Sequence, residues 1–400
     1  MQPYEEEFDT RRLLENAARQ AKERNYDDFV IVDVDAHHYE NECFSDILKY
    51  IENPIVKQYL ESNGKFGAAA SMPAVIGNQH VGGRITRYPL REKEKGEHPE
   101  LPRDLVIVKR AMEMIGIDYQ ILFPTPMLLL GLHPQVEVET ELAKAYNRWL
   151  IDKILSVDPQ IKSMLYLPFN NPDACVEIIE ELHDKPGVVG FMVTAVRYRP
   201  VHDNVYMKVY QALEERNMPL GFHAGPIWQG DRSMETMNKF LSVHALSFPF
   251  FNMVHMTNWV INGIPERFPN LKVVWIESGL AWIPFLMQRL DNEYKMRPSE
   301  APLLTRKPSE YMREFFYTTQ PMEIPDNLNV LKTTFEMFHA GTQLLYASDY
   351  PHWDFDLPST IYDLPFLSLE EKRNILGGNA QRLFGLPNKK YKASAGFIHT

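Results

Sequence analysis

The sequence predicts a (β/α)8 barrel with an N-terminal helical arm and an insertion after strand one. Three observations carry this. Short apolar segments rich in β-branched residues alternate with helical periods from about residue 105 to 384. Counted with the opening segment at 29–32 there are eight of them, the number that closes a parallel barrel. Acids and imidazoles gather where several of these segments end, the place where a parallel barrel keeps its chemistry. A doubly wound open sheet is the rival, but no GxGxxG follows the first strand and no GxxxxGKS or GxxxxGKT loop occurs.

Taken in order, residues 8–24 read as a polar amphipathic helix with Leu13, Leu14, Ala17 and Ala18 on one side. It belongs to an arm, residues 1–29, packed outside the main body or on a partner. The run FVIV at 29–32 suits a strand buried on both faces. A helix is expected over 44–59, interrupted at Pro54. Residues 61–102 are rich in Gly, Pro and charge without a period, which suits a lid or a subunit contact. Helices then follow at 105–115, 137–157, 173–183, 204–217, 234–246, 252–261, 281–295, 327–338 and 369–384. Strands fall at 119–123, 163–168, 187–194, 219–223, 271–276, 315–318 and 343–347. The barrel domain spans 30–388, and 389–400 form a tail.

Composition narrows the function. The formal charge of -11, from 42 basic and 53 acidic residues, argues against nucleic acid and acidic membranes as partners. Cys43 and Cys175 are too few and too far apart for a disulfide framework or a cysteine zinc site, which fits a reducing cytoplasm. The N-terminus is too polar for a secretory signal, and the most apolar stretch, 121–132, is short and broken by Pro124 and Pro126. The 29 prolines are dispersed and mark loops.

After FVIV the chain turns abruptly to acid and imidazole: Asp33, Asp35, His37, His38 and Glu40. Strand alternation would put Asp33, Asp35 and His37 on one side. Alone, this run reads equally as a shared cation site and as a strand entering a solvated acidic loop. Distant strand ends weigh for the cation: PLGFHAGP ends at His223, VVWIESGLAW at Glu277, and LLYASDYPHWD at Asp349 with His352 and Asp354 beyond. Asp35, His37, His223 and Asp349 suit one or two divalent ions per chain, zinc, manganese or iron, with an open position for water or substrate. Such an ion would lower the pKa of bound water or polarise a carbonyl or carboxylate.

Several motifs together resemble the amidohydrolase-related branch of the amidohydrolase superfamily, which includes decarboxylases. They are VDVDAHH at 32–38, PLGFHAG at 219–225, GIPERFPNLKVVWIESGLAWIPFLMQRLD at 263–291, YASDYPHWD at 346–354 and GGNAQRLFGL at 377–386. The resemblance implies that Asp35 and His37 stand for the family's HxH pair, His223 for its strand-five histidine and Asp349 for its strand-eight aspartate. Two departures stand out. Strand four, VVGFMVTAV, has no lysine to bridge two metals, and strand six ends in Glu277 where many relatives carry histidine. Glu277 is left as a ligand, a general base or a buried partner for an arginine.

His38 and Glu40 are candidates for a second metal or members of a polar loop. His244 and His255 are candidates to touch substrate, and Arg197 and Arg199 to pair a substrate carboxylate or to form surface ion pairs. Trp228, Trp259, Trp282 and Trp353 read as core, and Pro265, Pro269 and the GGN at 377–379 as turn and cap chemistry. The leading expectation is a metal-dependent enzyme acting on a small organic acid or amide by hydrolysis or nonoxidative decarboxylation. Asp349, His352 and Glu277 would be catalytic, with His255 and Arg197 at the substrate. The alternatives are an oxygen-activating nonheme iron or mixed-metal oxygenase on the same scaffold, or a noncatalytic subunit paired with an active homologue. The partners are a small-molecule substrate and a second copy or homologous subunit.

Overall fold

Eight parallel strands follow one another around a single sheet in chain order: β1 Val32–His37, β2 Tyr119–Phe123, β3 Ile161–Tyr166, β4 Val188–Thr194, β5 Leu220–His223, β6 Val273–Ile276, β7 Phe316–Thr318 and β8 Leu344–Leu345. The computed structural model describes residues 10–40, 43–63, 103–194, 199–225, 227, 231–352, 354–388 and 390. Most of the insertion expected at 61–102, the tail beyond 390, Arg197, Trp228 and Trp353 lie outside the described residues.

The barrel closes through backbone bonds beside its shortest strand. Val34 N–H donates to Tyr346 O at 2.8 Å, Asp349 N–H to Asp35 O at 2.7 Å and His37 N–H to Tyr350 O at 2.8 Å. Helices cover the outside: α1 Thr10–Glu23, α2 Pro54–Asn63, α3 Arg103–Ile115, α4 Val136–Leu150, α5 Pro172–Leu182, α6 Met207–Glu215, α7 Phe240–Ile261, α8 Trp282–Met296, α9 Leu328–Met337 and α10 Asn379–Phe384. Eight strands are found as expected, and all but β1 lie within a few residues of their predicted bounds. Among the described residues, no helix is long and apolar enough to cross a membrane.

Several local readings are corrected. β1 begins at Val32 and runs through His37, so the acidic stretch is strand rather than loop. Ahead of it, the amide of Ile31 is taken by the Asp118 carboxylate at 2.9 Å. The helix expected at 44–59 is instead a short turn, Phe44–Ile47, a 3-10 turn, Leu48–Tyr50, and then α2, which begins on Pro54. Proline lacks an amide and has a preset φ, so it opens a helix more readily than it interrupts one. The two helices expected around Pro249 are one, α7, whose buried face of Val243, Phe248, Phe251 and Met256 outweighs the one missing hydrogen bond.

The closing helix is broken by a π turn, Asn374–Gly378. Gly377 lies there for packing, not as a cap: a Cβ on it would sit 2.1 Å from Val30 O. Asn379 in α10 donates to Leu344 O at 2.7 Å, tying the closing helix to β8. The arm helix α1 buries Leu14 and Ala17, and Arg24 just after it pairs with Asp363 at 2.5 Å.

Candidate metal centre

Strand β1 carries Asp35 and His37 on the barrel's inner face, and both are fully buried. Each of the two central imidazoles is oriented from behind. His37 Nδ1 is 2.8 Å from Pro124 O, and His223 Nδ1 is 2.7 Å from Ala224 O. A backbone carbonyl accepts only from N–H, so both rings carry a proton on Nδ1 and turn Nε2 into the barrel mouth. His37 Nε2 lies 3.2 Å from Asp35 Oδ1 and 3.2 Å from Asp349 Oδ1. His223 Nε2 is 3.2 Å from the same Asp35 oxygen.

Donor atoms of Asp35, His37, His223 and Glu277 lie within 4.8 Å of one another, and so do those of His37, Asp349 and His352. The two groups share His37. The quartet anticipated from sequence is thus divided: Glu277 stands with Asp35, His37 and His223, while Asp349 joins through His37 and pairs with His352 at 2.7 Å. Asp35 Oδ2, His37 Nε2, Glu277 Oε2 and Asp349 Oδ2 are buried without a hydrogen-bond partner. Leaving four such atoms unsatisfied is costly, and a divalent cation bound at the mouth would offset part of that cost. The donor set of carboxylate and imidazole fits such an ion.

The charges respond to one another. Burial opposes ionisation of Asp35, yet His223 and His37 hold its carboxyl well below the usual range. Burial likewise disfavours the His37 imidazolium, but Asp35 and Asp349 lift its pKa to about 10. Glu277 is pushed far up, first by burial and then by the charges of Asp349, Asp35 and Asp354. Burial lowers His352. Its Nδ1 faces Asp349, and its Nε2 is 3.3 Å from the Thr125 hydroxyl.

Asp33 shares the inner face but sits a level deeper, where burial raises it to about 7 against the pull of Ser348 and Gln120. His38 points to the other side of β1, bonded to Tyr146 Oη at 2.8 Å and stacked on Tyr146 and Trp149. Glu40 accepts the amides of Thr125 and Met127 and so pins the turn after β2. The candidate second-metal pair His38 and Glu40 therefore belongs to the scaffold. His255 stacks on Phe222, whose side chain lies between β5, β6 and α7, so it faces the outer layer and not the mouth. His244, nearer the start of α7, lies 3.5 Å from Asp354 beyond β8. Arg199 is exposed, 3.9 Å from Asp203. Trp259 and Trp282 are core. No arginine or lysine approaches Glu277 among the described residues.

Sequence reasoning passed over Thr125, Gln120 and Ser348. Ser348 lies within YASDYPHWD, but the role of each shows only through pairing across strands.

Comparison with known proteins follows the same lines. The family model described as Amidohydrolase matches residues 33–386. The γ-resorcylate decarboxylase of a Polaromonas species is 21% identical over 302 residues, 72% of this chain and 90% of the relative. The 5-carboxyvanillate decarboxylase of Sphingomonas paucimobilis has a similar fold, with a TM-score of 0.63 at 20% identity, covering 90% of this chain and 100% of that one. A dihydroxybenzoic acid decarboxylase from Polaromonas, solved with bound manganese and 2-nitroresorcinol, gives a TM-score of 0.63 at 16% identity over 89% and 97% of the two chains. Barrel, mouth and a family match over most of its length agree: the chain belongs to the amidohydrolase family.

Proposed function

We propose that the protein is a metal-dependent nonoxidative decarboxylase of small aromatic or unsaturated organic acids. One observation carries this reading: buried proton-holding groups, Glu277 and the Asp349–His352 pair, adjoin the donors Asp35, His37 and His223 at a single mouth. When bound there, a divalent cation such as manganese, zinc or iron would supply a Lewis acid for the oxygens of the substrate carboxylate region. Asp35, His37, His223 and Asp349 would hold it. Loss of carbon dioxide leaves an electron pair on carbon, and one proton must reach that carbon. Glu277, kept protonated by burial and by its three acidic neighbours, stores a proton. His352, 3.9 Å away at Nδ1 and braced by Asp349 and Thr125, stands beside it at the mouth as a second acid–base group.

Two further points favour decarboxylation over hydrolysis. β4, Val188–Thr194, offers no lysine to bridge two ions, and the 3-10 turn Pro126–Leu132 covers its end. A Cβ on Gly131 of that turn would meet Thr194 Oγ1 at 2.8 Å. The relatives are themselves named decarboxylases of carboxylated aromatic rings. The test is a panel of hydroxybenzoic acids and their anilides given to manganese-loaded protein. Release of carbon dioxide is expected, and amine release without it would overturn the reading.

A second reading rests on charge. Asp35, Glu277, Asp349 and Asp354 surround the mouth, so once Glu277 gives up its proton one divalent ion balances two of four carboxylates. Two ions, in the manner of an oxygen-activating nonheme iron or mixed-metal oxygenase, would balance all four. Two redox metals per chain together with oxygen uptake would select it. Activity that appears only with a homologous subunit present would select the partner-subunit alternative.

A further inference from the structure

The seam between β8 and β1 is the weakest part of the barrel and also the part that carries three of the proposed donors. β8 is two residues long, and its link to β1 is three separated backbone bonds. Pairing of β1 with β2 also slips between Asp33 and Ala36. Asp349, which must meet His37 across this seam, has a left-handed backbone, φ 58°. L-residues seldom adopt that conformation unless their surroundings impose it.

One buried carboxylate spans all three strands at this level. Asp33 Oδ1 accepts Ser348 N–H at 2.8 Å and Asp35 N–H at 3.2 Å. Its Oδ2 accepts the Ser348 hydroxyl at 2.5 Å and Gln120 Nε2 at 2.9 Å. The Ser348 hydroxyl in turn accepts Tyr350 N–H at 3.0 Å. Asp349 is thus held by bonds to both of its neighbours, and Asp35 by its own amide, all gathered on the Asp33 side chain. None of these atoms reaches the donor groups of the mouth.

We propose that Asp33 is a positioning residue for the cation site, acting through Ser348 to hold Asp349 at its distance from the Asp35–His37 edge. An amide in its place has one acceptor oxygen where four donors converge, so Asp33→Asn must release at least part of the clasp at unchanged volume. Ser348→Ala releases the hydroxyl arm alone, leaves Asp33 buried and serves if the first variant fails to fold. The proposal rests on the metal reading above, and two readouts separate the two.

The first readout is hydrogen exchange of the ion-free full chain. Amides of 348–350 are expected to exchange faster in both variants, with those of β3 to β6 unchanged. The second is titration with cobalt(II) alone, following its visible d–d band. The variants are expected to bind about tenfold to hundredfold more weakly and with an altered band, as happens when an outer partner of a ligand is lost. Wild-type protection of 348–350, or loss of protection with wild-type affinity and band, overturns the proposal. A wild-type chain that takes up no cobalt overturns the metal reading, and the clasp is then judged on exchange alone.

Discussion

Glu277, just past β6, and Asp349, in the loop beyond β8, share a left-handed backbone conformation, φ 56° and φ 58°, and the charge of Asp349 helps keep Glu277 protonated. Strand alternation alone would not aim both side chains into one mouth. The left-handed φ at each does so at a conformational cost on the order of 1 kcal/mol or more per residue. Two strained acids, one ionised and one neutral, are the arrangement expected where a cation and a proton must both be kept.

Replacing Asp349 by Asn keeps the side-chain volume and removes the negative charge shared by His37 and His352. Decarboxylation, followed as carbon dioxide release from manganese-loaded protein, should fall at least about a hundredfold, the scale set by loss of one acid–base partner. An unchanged rate would remove Asp349 from the site.

Cation uptake should displace protons. In the ion-free chain His37 titrates near pH 10, so at neutral pH its Nε2 holds a proton that a cation must replace. The sign follows: below about pH 10 a raised imidazole pKa weakens cation binding, and affinity should climb about tenfold for each pH unit gained. Calorimetry in buffers of different ionisation enthalpy should register about one proton released per ion from this group. No proton release between pH 6 and about 9 would contradict the role given to His37.

His38→Ala should cost stability without touching the ion. The ring loses its stacking on Tyr146 and Trp149 and its hydrogen bond to Tyr146, worth roughly 1–3 kcal/mol together. Elemental analysis should find the same metal content as in the wild type. A drop in metal content with unchanged melting would return His38 to the site.

Gly377→Ala forces a methyl group against Val30 O, a backbone atom that cannot swing away. Destabilisation of about 1–3 kcal/mol is expected, read from urea unfolding, since the crowding falls where the closing helix seals the start of β1. Full stability in this variant would mean that the π turn rearranges freely.

Much of the fold was legible because its periods are local. Eight apolar runs separated by helical ones need no knowledge of contacts, and so seven strands lie where they were read and the first is displaced onto the acidic stretch that follows its run. Boundaries failed where a distant partner ruled. Pro249 lies inside a helix because α7 has a deep apolar seat, and β1 runs on past its apolar run because the Asp33 side chain and the Asp35 carbonyl find partners across the seam. Among the candidate residues, those at strand ends were brought together, whereas His38, Glu40 and His255 were turned away by facing the other side of their elements.

By itself the sequence determined the barrel and which strand ends carry acid or imidazole, since residue type and spacing are properties of one segment at a time. Tertiary structure alone decided that Glu277 joins Asp35, His37 and His223, that Asp349 pairs with His352, and that Asp33 serves as a clasp rather than a ligand. Those assignments depend on strand level and backbone twist across the closing seam. Such quantities arise only when segments some 300 residues apart are hydrogen-bonded side by side.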